Sequence, residues 1–334
     1  MISTEKESVE NLSSKWQYVL GYQLPAHLPE TDIVYVNDHY DPSRLEKLIG
    51  QQQSWIVSDF HWQLPYTNRP TLCYPYFLIA LCNQAKQEIQ PCYYNTTDCF
   101  NFMVYKLRPF RRVFLELLQY FNLSTKCYTA NTINIESHTK PLKLHHGDPD
   151  IVDFLMYRKT TPLTLSTRII ATDVEQGYNV SHYSKFLERE VFGPSAVALI
   201  TEPIELAWED SMNFSEKTIF AMLGCNLPIW IGGVKQASLW ASAGFDTFDD
   251  VIDHSYQNKA TTIERMYYAI KNNLELLSDL DLAQNTRSKL QDRLLANQQR
   301  VFDNVINAWA ESNLSRAPDN IRQSVKSCVQ SFAG

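Results

Sequence analysis

An acid–base pair stands at the start of a predicted helix in the segment NFSEKTIFAMLGCNLPIWIGG, residues 213–233. Ser215 or Asn213 can cap this helix by accepting backbone N–H bonds, and Glu216 in its first turn is favoured by the helix dipole. A cation such as Lys217 is disfavoured there unless an anion is bound. We therefore expect Lys217 and free N–H groups to hold a diphosphate, with Glu216 accepting hydrogen bonds from sugar or ribose hydroxyls. A solvated ion pair beside a helix cap is the alternative.

A second group of cations lies in the sequence KLRPFRR, between a predicted strand at residues 100–106 and a predicted helix at 108–121. Its arginines, Arg108, Arg111 and Arg112, suit phosphate because the planar guanidinium group donates paired hydrogen bonds. The helix dipole again disfavours these cations unless an anion is bound. Two such helix starts in one chain favour a shared anion site. An exposed basic turn is the alternative.

Polar residues that follow predicted strands are the candidates for acid–base chemistry. Asp59 and His61 follow the strand within residues 54–62, and Asp38 follows the strand within residues 31–38. A carboxylate or imidazole at such a strand end can take the proton of an attacking hydroxyl group. We therefore predict Asp59 and His61 as the first choice for the base and Asp38 as the second, whereas the alternative for each aspartate is a simple turn residue.

Two further strand ends are predicted to bind the same ligand, because ligands of open α/β sheets lie beyond the carboxyl ends of the strands. Glu202 ends the predicted strand at residues 195–203. Gly232 and Gly233 end the strand that follows the helix at residues 215–223. Together with the residues of the two helix starts, these positions form the predicted donor site.

The elements that would position these residues alternate between strand and helix. Helices are predicted at residues 74–87 and, as an amphipathic series, at 261–313, and a short strand is predicted at 126–131. Residues 132–165 are rich in turn formers and are left unassigned. Such alternation predicts an α/β fold with parallel sheets and crossover helices.

A polar, turn-like segment, CYYNTTDC at residues 92–99, marks a predicted domain boundary. It divides the chain into a smaller N-terminal α/β domain at residues 1–98 and a larger α/β domain at 99–310. A helical tail is predicted at residues 311–334.

The composition narrows the class of protein. The chain has 334 residues, 44% of them hydrophobic, and a net charge of −7, which argues against a non-specific nucleic-acid coat. Its seven cysteines form no Cys-x-x-Cys pair, so they are predicted to be small apolar side chains in a reducing compartment. The polar N-terminus and the shortness of the longest apolar run, YFLIALC, predict a cytoplasmic protein without a membrane span.

Three segments together resemble the nucleotide-sugar-binding half of fucosyltransferase-like glycosyltransferases, a group that includes family 10 and related microbial and phage sequences. They are FNFMVYKLRPFRRVFLELLQYF, ITEP and NFSEKTIFAMLGCNLPIWIGG, in this order. A further segment, LWASAGFDTFDDVIDHSYQN at residues 239–258, resembles one found in many phage-type relatives. The resemblance covers roughly residues 99–275.

The resemblance implies a GT-B fold, in which two Rossmann-like domains face a central cleft. It implies a glycosyltransferase that moves a sugar from a GDP- or UDP-linked donor to an acceptor hydroxyl, with inversion and without a metal or other cofactor. Lys217 and either Arg111 or Arg108 would contact the diphosphate, and Glu216 the ribose or the donor sugar. The family often has a tyrosine where this chain has Asn213, which leaves the nucleotide open. Residues 99–310 would form the Rossmann-like domain that binds the nucleotide sugar, and residues 1–98 would bind the acceptor, a glycan or another hydroxyl compound, including a modified DNA base.

Two alternatives remain at this stage. The segment HHGDPD at residues 145–150 could hold a metal ion through Asp148, Asp150 and the two histidines His145 and His146, but an ordinary turn is favoured there. The chain could also be a non-catalytic carbohydrate-binding or assembly protein with a degenerate GT-B fold.

Overall fold

The computed structural model describes residues 16–19, 33–36, 55–58, 70–104, 109–123, 127–130, 147–164, 167–170, 183–201, 215–231 and 233–333. Within these residues the chain forms two parallel sheets and a series of helices. The predicted α/β class with parallel strands is therefore confirmed. No helix in the described part of the chain is both long and apolar enough to cross a membrane.

The first sheet contains four parallel strands in the order of the chain. They are β1 Trp16–Val19, β2 Ile33–Val36, β3 Trp55–Ser58 and β4 Thr71–Cys73. The predictions for β2 and β3 are confirmed. Strands β1 and β4 were not predicted. Helix α1, Tyr76–Glu88, follows β4 as expected.

The second sheet contains five parallel strands, β5 Asp98–Val104, β6 Cys127–Ala130, β7 Thr167–Ile170, β8 Ser195–Thr201 and β9 Leu227–Ile231. Their order across the sheet is β7-β6-β5-β8-β9. The chain therefore builds outward from β5 in one direction, then returns to the other side of β5 to form β8. This reversal makes the carboxyl ends of β5 and β8 the topological switch point, where ligands of such sheets bind.

Two predicted helices begin beside this switch point. Helix α2, Pro109–Tyr120, follows β5 and buries the apolar positions that the helical spacing indicated. After α3, Pro149–Thr160, and a π-helix, Tyr183–Phe192, helix α4, Glu216–Leu223, connects β8 to β9. All of α4 after Glu216 is buried, which explains its continuous apolar sequence.

The region left unassigned at residues 132–165 contains α3, and the expected turn at Asp148 is instead the start of that helix. Asp148 is the N-cap residue, and its carboxylate accepts a hydrogen bond from the backbone N–H of Asp150 at 3.0 Å. Pro149 occupies the first helical position. The turn interpretation was wrong because aspartate and proline favour turns and helix starts alike.

The predicted helical series after residue 261 is also confirmed, but it is broken into short helices. In chain order the remaining helices are α5 Gln236–Ser242, α6 Thr262–Asn272, α7 Leu274–Ser278, α8 Leu280–Lys289, α9 Gln291–Phe302, α10 Val305–Leu314 and α11 Asp319–Ala333, with a 3-10 helix at Ser255–Asn258.

Apolar side chains cover both faces of the second sheet. One cluster contains Phe102, Phe114 and Leu199, on the face that carries α2. The other contains Ile200 and Trp230 and continues to residues of the first sheet. Since this core is shared by both sheets, the expected pair of domains facing a cleft is not confirmed, and the domain bounds stay a prediction.

Candidate functional site

Ser215 occupies the N-cap position of α4, as predicted, but its hydroxyl makes no capping hydrogen bond. The side chain is fully buried, and its Oγ atom has no hydrogen-bond partner among the described residues. The capping role that we expected for Ser215 is therefore wrong. The other predicted cap, Asn213, lies outside the described residues.

Glu216 and Lys217 form an ion pair at the first turn of α4, with Lys217 Nζ 2.8 Å from Glu216 Oε1. Their side chains are only 17% and 9% exposed, so this is not the solvated surface pair of the alternative interpretation. Burial acts to raise the pKa of Glu216, but the charge and hydrogen bond of Lys217, a backbone hydrogen bond and the charge of Arg111 together lower it. Glu216 is consequently a carboxylate at neutral pH.

Arg111, at the start of α2, contributes a second cation near Glu216. Its side chain is buried, its guanidinium carbon lies 5.6 Å from the centre of the Phe110 ring, and its charge acts on Glu216. The neighbouring Arg112 behaves differently, because its Nε lies 3.1 Å from Glu116 Oε1 within the same helix. The structure therefore gives the two arginines different surroundings: the charge of the buried Arg111 acts on Glu216, whereas Arg112 pairs with Glu116 in its own helix.

Buried polar groups without hydrogen-bond partners among the described residues lie at the carboxyl edge of the second sheet. Thr201 is the last residue of β8, and its Oγ1 has no hydrogen-bond partner among the described residues. Gln236, which begins α5 after β9, is fully buried, and neither polar atom of its carboxamide is hydrogen-bonded within that part of the chain. We did not single out either residue from the sequence; the only available signal was their place after a buried strand.

Gly233 lies directly against Gln236. A Cβ atom on Gly233 would lie 2.7 Å from Cγ and 3.1 Å from Nε2 of Gln236. A side chain at this position would therefore displace the carboxamide. Gly233 was predicted as a donor-binding position, and the structure gives it a definite contact within the same edge of the sheet.

The other predicted site residues lie outside the described residues. They are Arg108, Glu202 and Gly232 of the donor site, Asp59 and His61 as candidate bases, and Asp38 as the second choice. The roles assigned to them stay predictions.

The segment that could have held a metal ion has structural contacts instead. Asp148 Oδ2 accepts a hydrogen bond from the Tyr268 hydroxyl at 2.8 Å, and Asp150 pairs with Lys271, so both carboxylates connect α3 to α6. No group of three or more His, Cys, Asp or Glu residues suited to a metal ion occurs among the described residues. His145 and His146 lie outside them.

The segment at residues 239–258 is hydrogen-bonded to strand β9. The Tyr256 hydroxyl donates to the Trp230 carbonyl at 2.9 Å, and Arg293 pairs with both Asp246 and Asp250. Trp230 Nε1 in turn donates to Thr218 Oγ1 at 3.0 Å, which joins β9 to the first turn of α4. These contacts hold the end of β9 and the Glu216–Lys217 pair in one fixed arrangement.

Comparison with known proteins gives little to identify the chain. No protein-family model and no curated protein matches it. Among solved structures it is similar to the DNA-modifying enzyme β-glucosyltransferase, determined in the presence and absence of its substrate uridine diphosphoglucose. The identity is 12%, the alignment covers 82% of this chain and 74% of that one, and the TM-score is 0.33. A likeness at this level carries no argument, so the resemblance to fucosyltransferase-like enzymes stays a prediction.

Proposed function

We propose that the protein is a glycosyltransferase that binds a nucleoside-diphosphate sugar and transfers the sugar to an acceptor hydroxyl. The observation that carries the proposal is the largely buried Lys217–Glu216 ion pair at the start of α4, on which the charge of Arg111 at the start of α2 also acts. Two of the three segments with fucosyltransferase-like sequence contain these residues, which is the reason for choosing a sugar nucleotide over other anions.

The charges of this group suit a diphosphate. Arg111 and Lys217 bring two cations to a largely buried place, where electrostatic attraction is stronger than in water. The start of α4 adds backbone N–H donors that favour an anion. Glu216, kept ionised by Lys217 and Arg111, can accept hydrogen bonds from ribose or sugar hydroxyls beside the phosphates.

Such a site would also serve the chemistry. Transfer leaves negative charge on the departing diphosphate, and fixed cations that face this charge lower the barrier. An attacking hydroxyl must lose its proton to a base, which we assign to Asp59 with His61 as its neighbour. In this proposal the reaction proceeds with inversion and needs no metal, the fold is of the GT-B type, and the acceptor is a glycan or another hydroxyl compound.

Calorimetric titration tests the donor site directly. The wild-type protein is titrated with UDP, GDP and their common sugar conjugates, beside Lys217→Ala and the control Lys271→Ala, whose lysine pairs with Asp150 near the surface. We expect micromolar binding to one nucleotide series that is lost in Lys217→Ala and kept in the control. If no nucleotide binds the wild type, the proposal fails and a non-catalytic carbohydrate-binding or assembly protein becomes the better account.

Two further measurements test the mechanism once a donor is known. Asp59→Asn should abolish sugar transfer while donor affinity is retained, and retained turnover would remove Asp59 from the role of base. Donor-sugar hydrolysis should continue unchanged in EDTA. Loss of hydrolysis in EDTA would contradict the metal-independent mechanism.

A further inference from the structure

In the described part of the chain, the carboxyl edge of the second sheet contains buried polar atoms without hydrogen-bond partners, in addition to the charged residues Arg111, Glu216 and Lys217. Thr201 Oγ1, Ser215 Oγ and both polar atoms of Gln236 are buried without hydrogen-bond partners among the described residues. Buried polar groups in native proteins nearly always have partners, because an unsatisfied donor or acceptor loses its hydration without compensation. Several such atoms at one edge indicate groups that await a ligand.

Gln236 is the most informative of these residues because its carboxamide leaves both a donor and an acceptor unused. A nearby glutamine provides the contrast. Gln257 is also buried, but its Oε1 accepts from the Ala237 N–H at 3.1 Å and its Nε2 donates to the Tyr256 hydroxyl at 3.3 Å. One carboxamide is therefore part of the structure, and the other contributes no hydrogen bond to it.

The position of Gln236 relates it to the diphosphate group. Its side chain lies over the backbone of Gly233, just after β9, and β9 is the direct neighbour of β8. The hydrogen bond between Trp230 and Thr218 fixes β9 against the first turn of α4, which carries Lys217. Adjacent strands such as β8 and β9 lie about 5 Å apart, so a diphosphate bound at Lys217 would bring its next chemical group towards the end of β9.

We propose that the Gln236 carboxamide binds the hydroxyl groups of the sugar that the donor carries and so helps to select that sugar. The inference rests on the proposed function. Lys217 and Arg111 supply charge for the phosphates, whereas a buried neutral carboxamide suits a neutral partner. A donor and an acceptor side by side match two adjacent hydroxyls, each of which can both donate and accept. The nucleobase is the competing partner for the same carboxamide.

The test compares nucleotides with and without the sugar. Gln236→Leu has a similar volume and no polar side-chain atoms. Calorimetry of the wild type and this variant uses UDP, GDP, UDP-glucose, UDP-N-acetylglucosamine, GDP-mannose and GDP-fucose. We expect the variant to bind the free nucleoside diphosphate within twofold of the wild type and the matching nucleotide sugar at least tenfold more weakly.

A stability measurement separates a lost contact from a damaged fold. The melting temperature of Gln236→Leu should be equal to or higher than that of the wild type, because the substitution removes two unsatisfied atoms. The matched variant Gln257→Leu should melt at a lower temperature, because it breaks two hydrogen bonds. If Gln236→Leu melts as low as Gln257→Leu, the carboxamide has a structural role and the inference is overturned.

The remaining outcomes are equally decisive. Equal weakening of the free diphosphate and the sugar conjugate assigns Gln236 to the base or ribose and overturns the sugar assignment, as does unchanged binding of both. If the wild type binds a nucleotide sugar normally and only the expected effect of Gln236→Leu is missing, the proposed function stands without this inference. If the wild type binds no nucleotide, the proposed function and the inference about Gln236 are both overturned.

Discussion

The two edges of the second sheet differ in how their buried polar groups are satisfied. At the amino edge, Arg287 donates hydrogen bonds to the carbonyls of Gly193, Gly224 and Cys225 at 2.7, 2.8 and 3.0 Å, and to Thr96 Oγ1 at 3.1 Å. These acceptors lie just before β8, β9 and β5. One fully buried guanidinium group thus ties three strand entries together.

Other side chains complete this amino edge. Asn226 Nδ2 donates to the carbonyls of Phe192 and Ser195 at 2.8 and 2.5 Å, and Gln298 Nε2 donates to the Leu223 carbonyl at 2.6 Å. Asn226 Oδ1 and the buried Tyr183 hydroxyl, which lies near Cys225 and Arg287, are the unsatisfied side-chain atoms here among the described residues. At the carboxyl edge Thr201, Ser215 and Gln236 all have unsatisfied atoms. The amino edge is built for stability, and the carboxyl edge retains the free hydrogen-bonding capacity that a ligand site requires.

Removing the hydrogen bonds of Arg287 at the amino edge should have the largest effect on stability. Arg287→Met leaves buried carbonyls without their donor, so we expect the free energy of unfolding to fall by about 3–5 kcal/mol. Urea unfolding followed by circular dichroism measures the change. Arg316→Ala, at an exposed position, is the control and should change the stability by less than about 0.5 kcal/mol. A loss of unfolding free energy below about 1 kcal/mol in Arg287→Met would contradict the role of Arg287 in holding the three strand entries together.

Removing a cation from the carboxyl edge should weaken a ligand more than it weakens the fold. Arg111→Met should reduce the affinity for the nucleoside diphosphate by about 2–3 kcal/mol, or roughly 30–150-fold, because a buried charged contact to the phosphates is lost. Arg112→Met is the matched control, since Arg112 pairs with Glu116 in its own helix. Equal losses of affinity in the two variants would remove Arg111 from the site.

The buried carboxylate at the carboxyl edge predicts a pH dependence. The pKa of Glu216 is lowered in the folded protein, so its ionised form stabilises the fold above the unfolded-state pKa of about 4.3. This contribution is lost as the pH falls through the lowered folded-state pKa. Urea unfolding of the wild type and Glu216→Gln between pH 3 and 7 should give a stability difference that shifts in favour of the variant below about pH 4. A shift towards the wild type would contradict the lowered pKa.

Two helix caps give the smallest expected effect. Thr261 caps α6 in a capping box, in which its hydroxyl accepts from the Glu264 N–H at 3.3 Å and Glu264 Oε2 accepts from the Thr261 N–H at 2.8 Å. Thr261→Ala should therefore cost about 1 kcal/mol of stability. Ser215→Ala removes a hydroxyl that caps nothing and should change the stability by less than about 0.5 kcal/mol. Thermal unfolding compares the two, and equal losses would assign Ser215 a capping role.

Much of the sheet and its helices could be predicted from the sequence. The continuous apolar run of β8, Ser195–Thr201, and the helical spacing of α2, Pro109–Tyr120, both reflect burial, and burial selects residue types directly. The π-helix at Tyr183–Phe192 and strand β7, Thr167–Ile170, were missed. Strand β7 follows neither of the simple periodicities, whereas the π-helix buries Tyr183, Leu187 and Val191 at intervals of four residues, a spacing close to that of an α-helix.

The candidate site divides in the same way. The Glu216–Lys217 pair stands out in the sequence because a lysine in the first turn of a helix opposes the helix dipole. Gln236 and Arg287 give no such signal, since a glutamine after a strand and an arginine in a polar helix are ordinary. Whether their polar atoms are satisfied depends on neighbours that are distant in the chain.

The sequence by itself determined the parallel α/β arrangement and the two helix starts that carry cations, because apolar runs and charge positions are local properties of the chain. Only the tertiary structure decided that the charge of Arg111 acts on Glu216 while Arg112 pairs with Glu116, and that Arg287 finds partners while Gln236 finds none among the described residues. The contact between Arg287 and Thr96 spans 191 residues along the chain. A hydrogen bond over such a distance is set by the packing of the whole sheet, so the local sequence at either residue contains no record of it.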